Sequence, residues 1–183
     1  NYDPEHAPPG RQLVMSASMC PADPELGRDD VKEWADAGEA ILFDMYYAAK
    51  DPIPLAGEKR ELPKVEFKPV DETTPVFKNF HISNVYCNGA EKGIFVRGLP
   101  EMHVKDIVLE NMVLQAHKGI DVQEATGITF RNIRIISEET NPVIDVVQSD
   151  KLVFDNITYK DGAELLFRIS GDRSGNITIR NTD

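Results

Sequence analysis

Two aspartates occupy equivalent places in this chain: Asp121 in Gly119-Ile120-Asp121-Val122, and Asp145 in Val143-Ile144-Asp145-Val146. In an extended strand, successive side chains alternate between faces, so inward Val122 and Val146 leave both carboxylates pointing outward. If the two segments lie side by side, their Cβ atoms are roughly 5 Å apart. Carboxylates that close can divide the roles of general acid and general base. An inverting hydrolysis, however, needs about 6.5–9.5 Å between its carboxyl groups to admit a water. The ordinary fate of such a pair is to be solvated or relieved by a cation, with Arg97 and Lys118 as candidates, and no catalytic residue is assigned on this ground.

The remaining reactive side chains form no constellation. His6, His81, His103 and His117 are scattered, and His81 and His103 flank apolar stretches as surface or turn residues. Cys20 and Cys87 make no disulfide framework and no metal spacing, so no metal or cofactor is expected. Cys87, within Val85-Tyr86-Cys87, reads as a small buried side chain. Asn156-Ile157-Thr158 and Asn176-Ile177-Thr178 match glycosylation sequons but fall where turns are expected.

The 183 residues are 41% hydrophobic, enough for one domain with a core, and carry a net charge of −11. Such a charge repels nucleic acid and anionic membrane, which excludes both as partners. An acidic ligand would have to be held by local Lys and Arg. No apolar run approaches the roughly 20 residues that cross a bilayer. The chain opens on Asn1 without a secretory signal, as a processed or trimmed product would.

The elements that carry these residues show themselves as a repeat. Apolar, any, apolar, any, Asn, then usually apolar recurs at Phe80–Val85, Ile107–Met112, Ile128–Ile133, Leu152–Ile157 and Ile177–Thr182. Asn84, Asn111, Asn132, Asn156 and Asn181 are therefore 27, 21, 24 and 25 residues apart. The alternation predicts a strand with one buried face. Asn tolerates the left-handed backbone region and can bend the chain there. Stacked at every turn, such asparagines would hydrogen-bond to one another. A second apolar strand follows each of the first four: 93–97, 119–123, 143–147 and 165–169. Coils this short, with no helix, cannot be βαβ units. They predict an all-β right-handed parallel β-helix, each coil lying on the one before.

Residues 1–38 lack the period and read as an irregular leader, in which Asp29-Asp30 opens a short capping helix that turns Trp34 inward. The β-helix is expected over 39–183. It opens with a strand over 39–47, whose Asn-bearing partner is missing upstream, and carries an inserted loop at 48–75. An N-terminal coil left open in this way favours association between chains.

The stretches Ala40–Lys50 (AILFDMYYAAK) and Thr74–Ala125, with GIFVRGLPEM the most distinctive part, resemble glycoside hydrolase family 28, the polygalacturonase group. The array to Asp183 continues the likeness more weakly, and residues 1–38 do not share it. The resemblance implies inverting hydrolysis of galacturonan by aspartates set in an Asn-Thr-Asp motif, an Asp-Asp pair, a Gly-His motif and an Arg-Ile-Lys motif, in that order. This chain has no such ordered set: Asn181-Thr182-Asp183 and Asp29-Asp30 match by spelling alone. The resemblance therefore implies coils of a secreted or periplasmic pectinase without its catalytic aspartates, inactive by themselves. It further implies a substrate-contacting tyrosine at Tyr46 or Tyr47, and an acidic polysaccharide (pectin or galacturonan) as partner. The alternative is a non-catalytic β-helix that binds such a glycan or serves assembly, with Tyr46, Tyr47 and Phe95 as its aromatic surface.

Overall fold

The computed structural model describes residues 38–45, 67–72 and 74–182. Ten strands follow one another: β1 (Glu39–Asp44), β2 (Lys78–Asn88), β3 (Lys92–Arg97), β4 (Val104–Ala116), β5 (Lys118–Gln123), β6 (Ala125–Ser137), β7 (Ile144–Val147), β8 (Val153–Tyr159), β9 (Phe167–Ser170) and β10 (Thr178–Arg180). No helix occurs among the described residues. The strands build two five-stranded sheets, ordered β1-β3-β5-β7-β9 and β10-β8-β6-β4-β2. Every neighbouring pair is parallel. The chain thus winds through one sheet, then the other, and returns one level on, as a parallel β-solenoid.

The asparagines align as the repeat predicts. Ser83 and Val85 pair with Glu110 and Met112, which pair with Arg131 and Ile133, which pair with Asp155 and Ile157. Asn84, Asn111, Asn132, Asn156 and Asn181 all have positive φ, between 53° and 61°. Asn132 Nδ2 donates to Asn111 Oδ1 at 3.0 Å, and Asn156 Nδ2 to Asn132 Oδ1 at 2.9 Å. The end rungs differ: Asn84 Nδ2 donates to Ser83 Oγ, and Asn181 Nδ2 to Asp155 Oδ1. The structure adds a second left-handed column five positions earlier in each coil, made of Asn79, Asp106, Gly127, Lys151 and Asn176. The same backbone device bends each coil at both columns, and Glu124, Gln148 and Gly171 add positive φ at a third corner, after β5, β7 and β9. Replacing Asn132 with alanine is expected to cost about 2 kcal/mol, from left-handed strain and two lost hydrogen bonds. Glycine there should cost about half as much, because it accepts the φ. Urea unfolding of the two variants checks this, and equal losses would mean that the side-chain rungs alone carry the effect.

Alternation fills the interior. Ile94 and Val96, Ile120 and Val122, and Ile144 and Val146 point in from the first sheet. Ile107 and Leu109, Ile128 and Phe130, and Leu152 and Phe154 point in from the other side. Each such side chain contributes about 1.5–3 kcal/mol on burial. Like residues stack between coils: the Phe130 and Phe154 rings lie 4.7 Å apart and nearly parallel, and Phe167 meets Phe154 edge-on at 5.0 Å. On the outer face of the second sheet, Glu110, Arg131, Asp155 and Arg180 form a column of alternating charge, with contacts of 3.4, 3.7 and 2.9 Å.

Of the expected strand over 39–47, β1 covers Glu39–Asp44, and among the described residues its partner is β3; residues 46 and 47 lie outside them. The last strand of the first sheet, β9, starts at Phe167 rather than Leu165. Trp34 and its proposed helix, and most of the 48–75 loop, lie outside the described residues; residues 67–72 of that loop contain no strand.

Candidate functional site

The outward columns of the first sheet run Leu42, Phe95, Asp121, Asp145, Arg168 and Asp44, Arg97, Gln123, Val147, Ser170. A cleft of about 170 Å³ opens on this face, lined by Lys92, Lys118, Asp121, Glu139, Asp145 and Arg168 among others. Gly119 forms part of its floor. A Cβ there would lie 2.2 Å from the Val143 carbonyl oxygen, so neighbouring coils approach closely only because the side chain is missing.

Asp121 and Asp145 are register partners on adjacent coils, as the sequence predicts. Each is held by its own cation. Lys92 Nζ donates to Asp121 Oδ2 at 2.9 Å, and Gln123 Nε2 to Asp121 Oδ1 at 3.0 Å. Arg168 grips Asp145 with two parallel hydrogen bonds, Nε to Oδ1 at 3.0 Å and Nη2 to Oδ2. With separate cations, the pair lacks the unequal surroundings that split an acid from a base. The cations are not those expected. Arg97 reaches Asp44 instead, Nε to Oδ1 at 3.0 Å and Nη2 to Oδ2 at 2.6 Å, with the two side chains 4% and 5% exposed. Lys118 stays 3.8 Å from both Glu91 and Glu139, a looser engagement. Phe95 is 5% exposed, with the Lys92 ammonium 3.8 Å from its ring centre, so it is no open aromatic platform.

A second constellation sits at the corner after β5, and sequence reasoning missed it. Glu124, its side chain 8% exposed, meets Arg173 Nη2 at 2.5 Å and His103 Nε2 at 3.2 Å. His103 Nδ1 lies 2.7 Å from Thr126 Oγ1. Hydroxyl, imidazole and carboxylate in sequence are the parts of a nucleophilic relay. Yet the amides beside Thr126 are already used, Ala125 N donating to Ser149 Oγ and Gly127 N to Asp150 O, which leaves neither to stabilise an oxyanion. Arg173 also donates to the Pro100 carbonyl at 3.3 Å, so the group clamps three coils together. The one available signal was the spacing: His103 and Glu124 are 21 residues apart, one coil length.

His81 lies 2.7 Å from Glu110 on the exposed face. His117 contacts Glu138 at 2.9 Å and Glu139 at 3.4 Å. The Glu138 hydrogen bond raises the His117 pKa above its usual 6.5, against the cost of desolvation and with help from the charges of Glu91 and Glu139. A raised value stabilises the fold below pH 6.5, and the gain is lost as pH rises through the folded-state value. An NMR titration should place the His117 midpoint above 6.5, and Glu138→Gln should lower it. An unmoved midpoint would remove Glu138 as the cause.

Cys87 is partly buried, its Sγ 3.5 Å from the Gly89 carbonyl oxygen. Tyr46, Tyr47, His6 and Cys20 lie outside the described residues. Among the described residues there is no group of three or more His, Cys, Asp or Glu that could hold a metal, and no helix long and apolar enough to cross a membrane. Compared with known proteins, the chain matches no family model, no curated protein and no solved structure.

Proposed function

We propose that these coils belong to a polygalacturonase-type glycoside hydrolase and hold an acidic polysaccharide without cleaving it. The observation that carries this reading is the cleft on the first sheet, where Lys92, Lys118 and Arg168 offset Asp121, Glu139 and Asp145 on a chain whose net charge is −11. Lys118 is the least committed of the three cations, since its acidic neighbours stand 3.8 Å away, and it is the one free to meet a sugar carboxylate. Asp121 and Asp145 can accept hydrogen bonds from sugar hydroxyls while their cations hold them in place. Hydrolysis would need a carboxyl pair with room for water between, and these carboxylates are committed to Lys92 and Arg168. The likeness of Ala40–Lys50 and Thr74–Ala125 to the family, together with the solenoid fold, supports the parentage.

Electrophoresis through a gel containing polygalacturonate should retard the protein, while a dextran gel should not. Lys118→Gln/Arg168→Gln should restore most of the mobility. Incubation with polygalacturonate should release no reducing ends. Release proportional to protein concentration would overturn the non-catalytic part, and unchanged mobility would overturn the binding part.

A further inference from the structure

We infer that a second glycan-binding strip runs along the outer face of the second sheet, beyond the asparagine bend, and takes a linear glycan carrying a carboxylate. Past Asn84, Asn111, Asn132 and Asn156 the side chains alternate again. Met112, Leu114, Ile133, Ile135 and Ile157 turn inward, leaving Tyr86, Val113, Arg134 and Thr158 outward in one register column. Beside it, two positions on, lie Asn88, Gln115, Ile136 and Lys160. Neither column contains an acidic residue, on a chain with 31 of them. The acids of the same strands, Glu110 and Asp155, stand three positions earlier, before the asparagine bend, and are paired with Arg131 and Arg180; Glu138 and Asp161 stand at the turns that follow β6 and β8.

Two features single out the strip. Tyr86 is 74% exposed, the most open large apolar side chain among the described residues. An aromatic ring there offers an apolar face to a pyranose ring and a hydroxyl at its edge. Arg134 is the second feature. Six arginines lie among the described residues, and five of them, Arg97, Arg131, Arg168, Arg173 and Arg180, are in ion pairs. Arg134 has no such partner among the described residues, and it is exposed. A fork of donors without an acid matches a carboxylate bidentately. Tyr86 and Arg134 are two coils apart, about 10 Å, a span close to two pyranose rings. A chain running along the solenoid axis would stack on Tyr86, pass over Val113 and present a carboxylate to Arg134, with Thr158, Gln115 and Lys160 meeting its hydroxyls and further charge.

This strip is independent of the cleft on the first sheet and stands or falls separately. Titration of the full chain with hexagalacturonate, followed by calorimetry, tests it. Tyr86→Ala and Arg134→Gln should each weaken affinity about tenfold, with thermal unfolding unchanged because both side chains are exposed. Neutral maltohexaose should bind no more than weakly, and equally to all variants. Undiminished affinity in both variants, with affinity lost in Lys118→Gln/Arg168→Gln, overturns the strip and leaves the cleft. The reverse pattern supports the strip and removes the cleft. No heat of binding in the wild-type chain overturns both.

Discussion

Replacing Arg97 with alanine should destabilise the fold by about 3–5 kcal/mol. Its guanidinium and the Asp44 carboxylate are 4% and 5% exposed and joined by two hydrogen bonds. Truncation removes the guanidinium and its two hydrogen bonds from a buried carboxylate, and with them their share in offsetting the desolvation of that charge. Coulomb attraction is not what the pair adds over an apolar core, so the double change Arg97→Met/Asp44→Leu should recover most of the loss. Arg97→Lys should fall between, because an ammonium cannot bridge both carboxylate oxygens in the same geometry. Urea midpoints of the four proteins decide it. A cost under about 1 kcal/mol for Arg97→Ala would mean that water reaches Asp44.

Phe154→Ala should lose a similar amount, about 3–5 kcal/mol, through a different mechanism. Phe154 is wholly buried, stacked on Phe130 and edge-on to Phe167. A solenoid's stability is close to a sum of coil and interface terms, so the cavity should loosen its neighbours more than distant coils. Amide exchange in β9 and β10 should therefore speed up more than in β3. Uniform acceleration across the array would contradict this and show a single cooperative block.

The architecture was legible because one corner uses a single residue type. Asn at positions 84, 111, 132, 156 and 181 is both a left-handed residue and a spacing marker. The second corner bends in the same way but uses Asn79, Asp106, Gly127, Lys151 and Asn176, and mixed residue types erase the period. At the site, alternation alone placed Asp121 beside Asp145. It could not choose their cations, because long Lys and Arg side chains reach across columns. The link from Arg97 to Asp44 spans 53 residues and two strands that only the register brings together. The Glu124 clamp was hidden for a related reason: His103 stands one coil before Glu124 and Arg173 two coils after it.

The alternating column Glu110, Arg131, Asp155, Arg180 imposes a parity on the array. Excising the coil that bears Arg131 would set Glu110 against Asp155, and excising the one that bears Asp155 would set Arg131 against Arg180. Like charges directly opposite each other repel, at about 0.2–1 kcal/mol per pair. Removing both coils together restores an attractive neighbour, Glu110 on Arg180. Along this face the unit of growth or loss is two coils, and single levels are not interchangeable although each one winds alike.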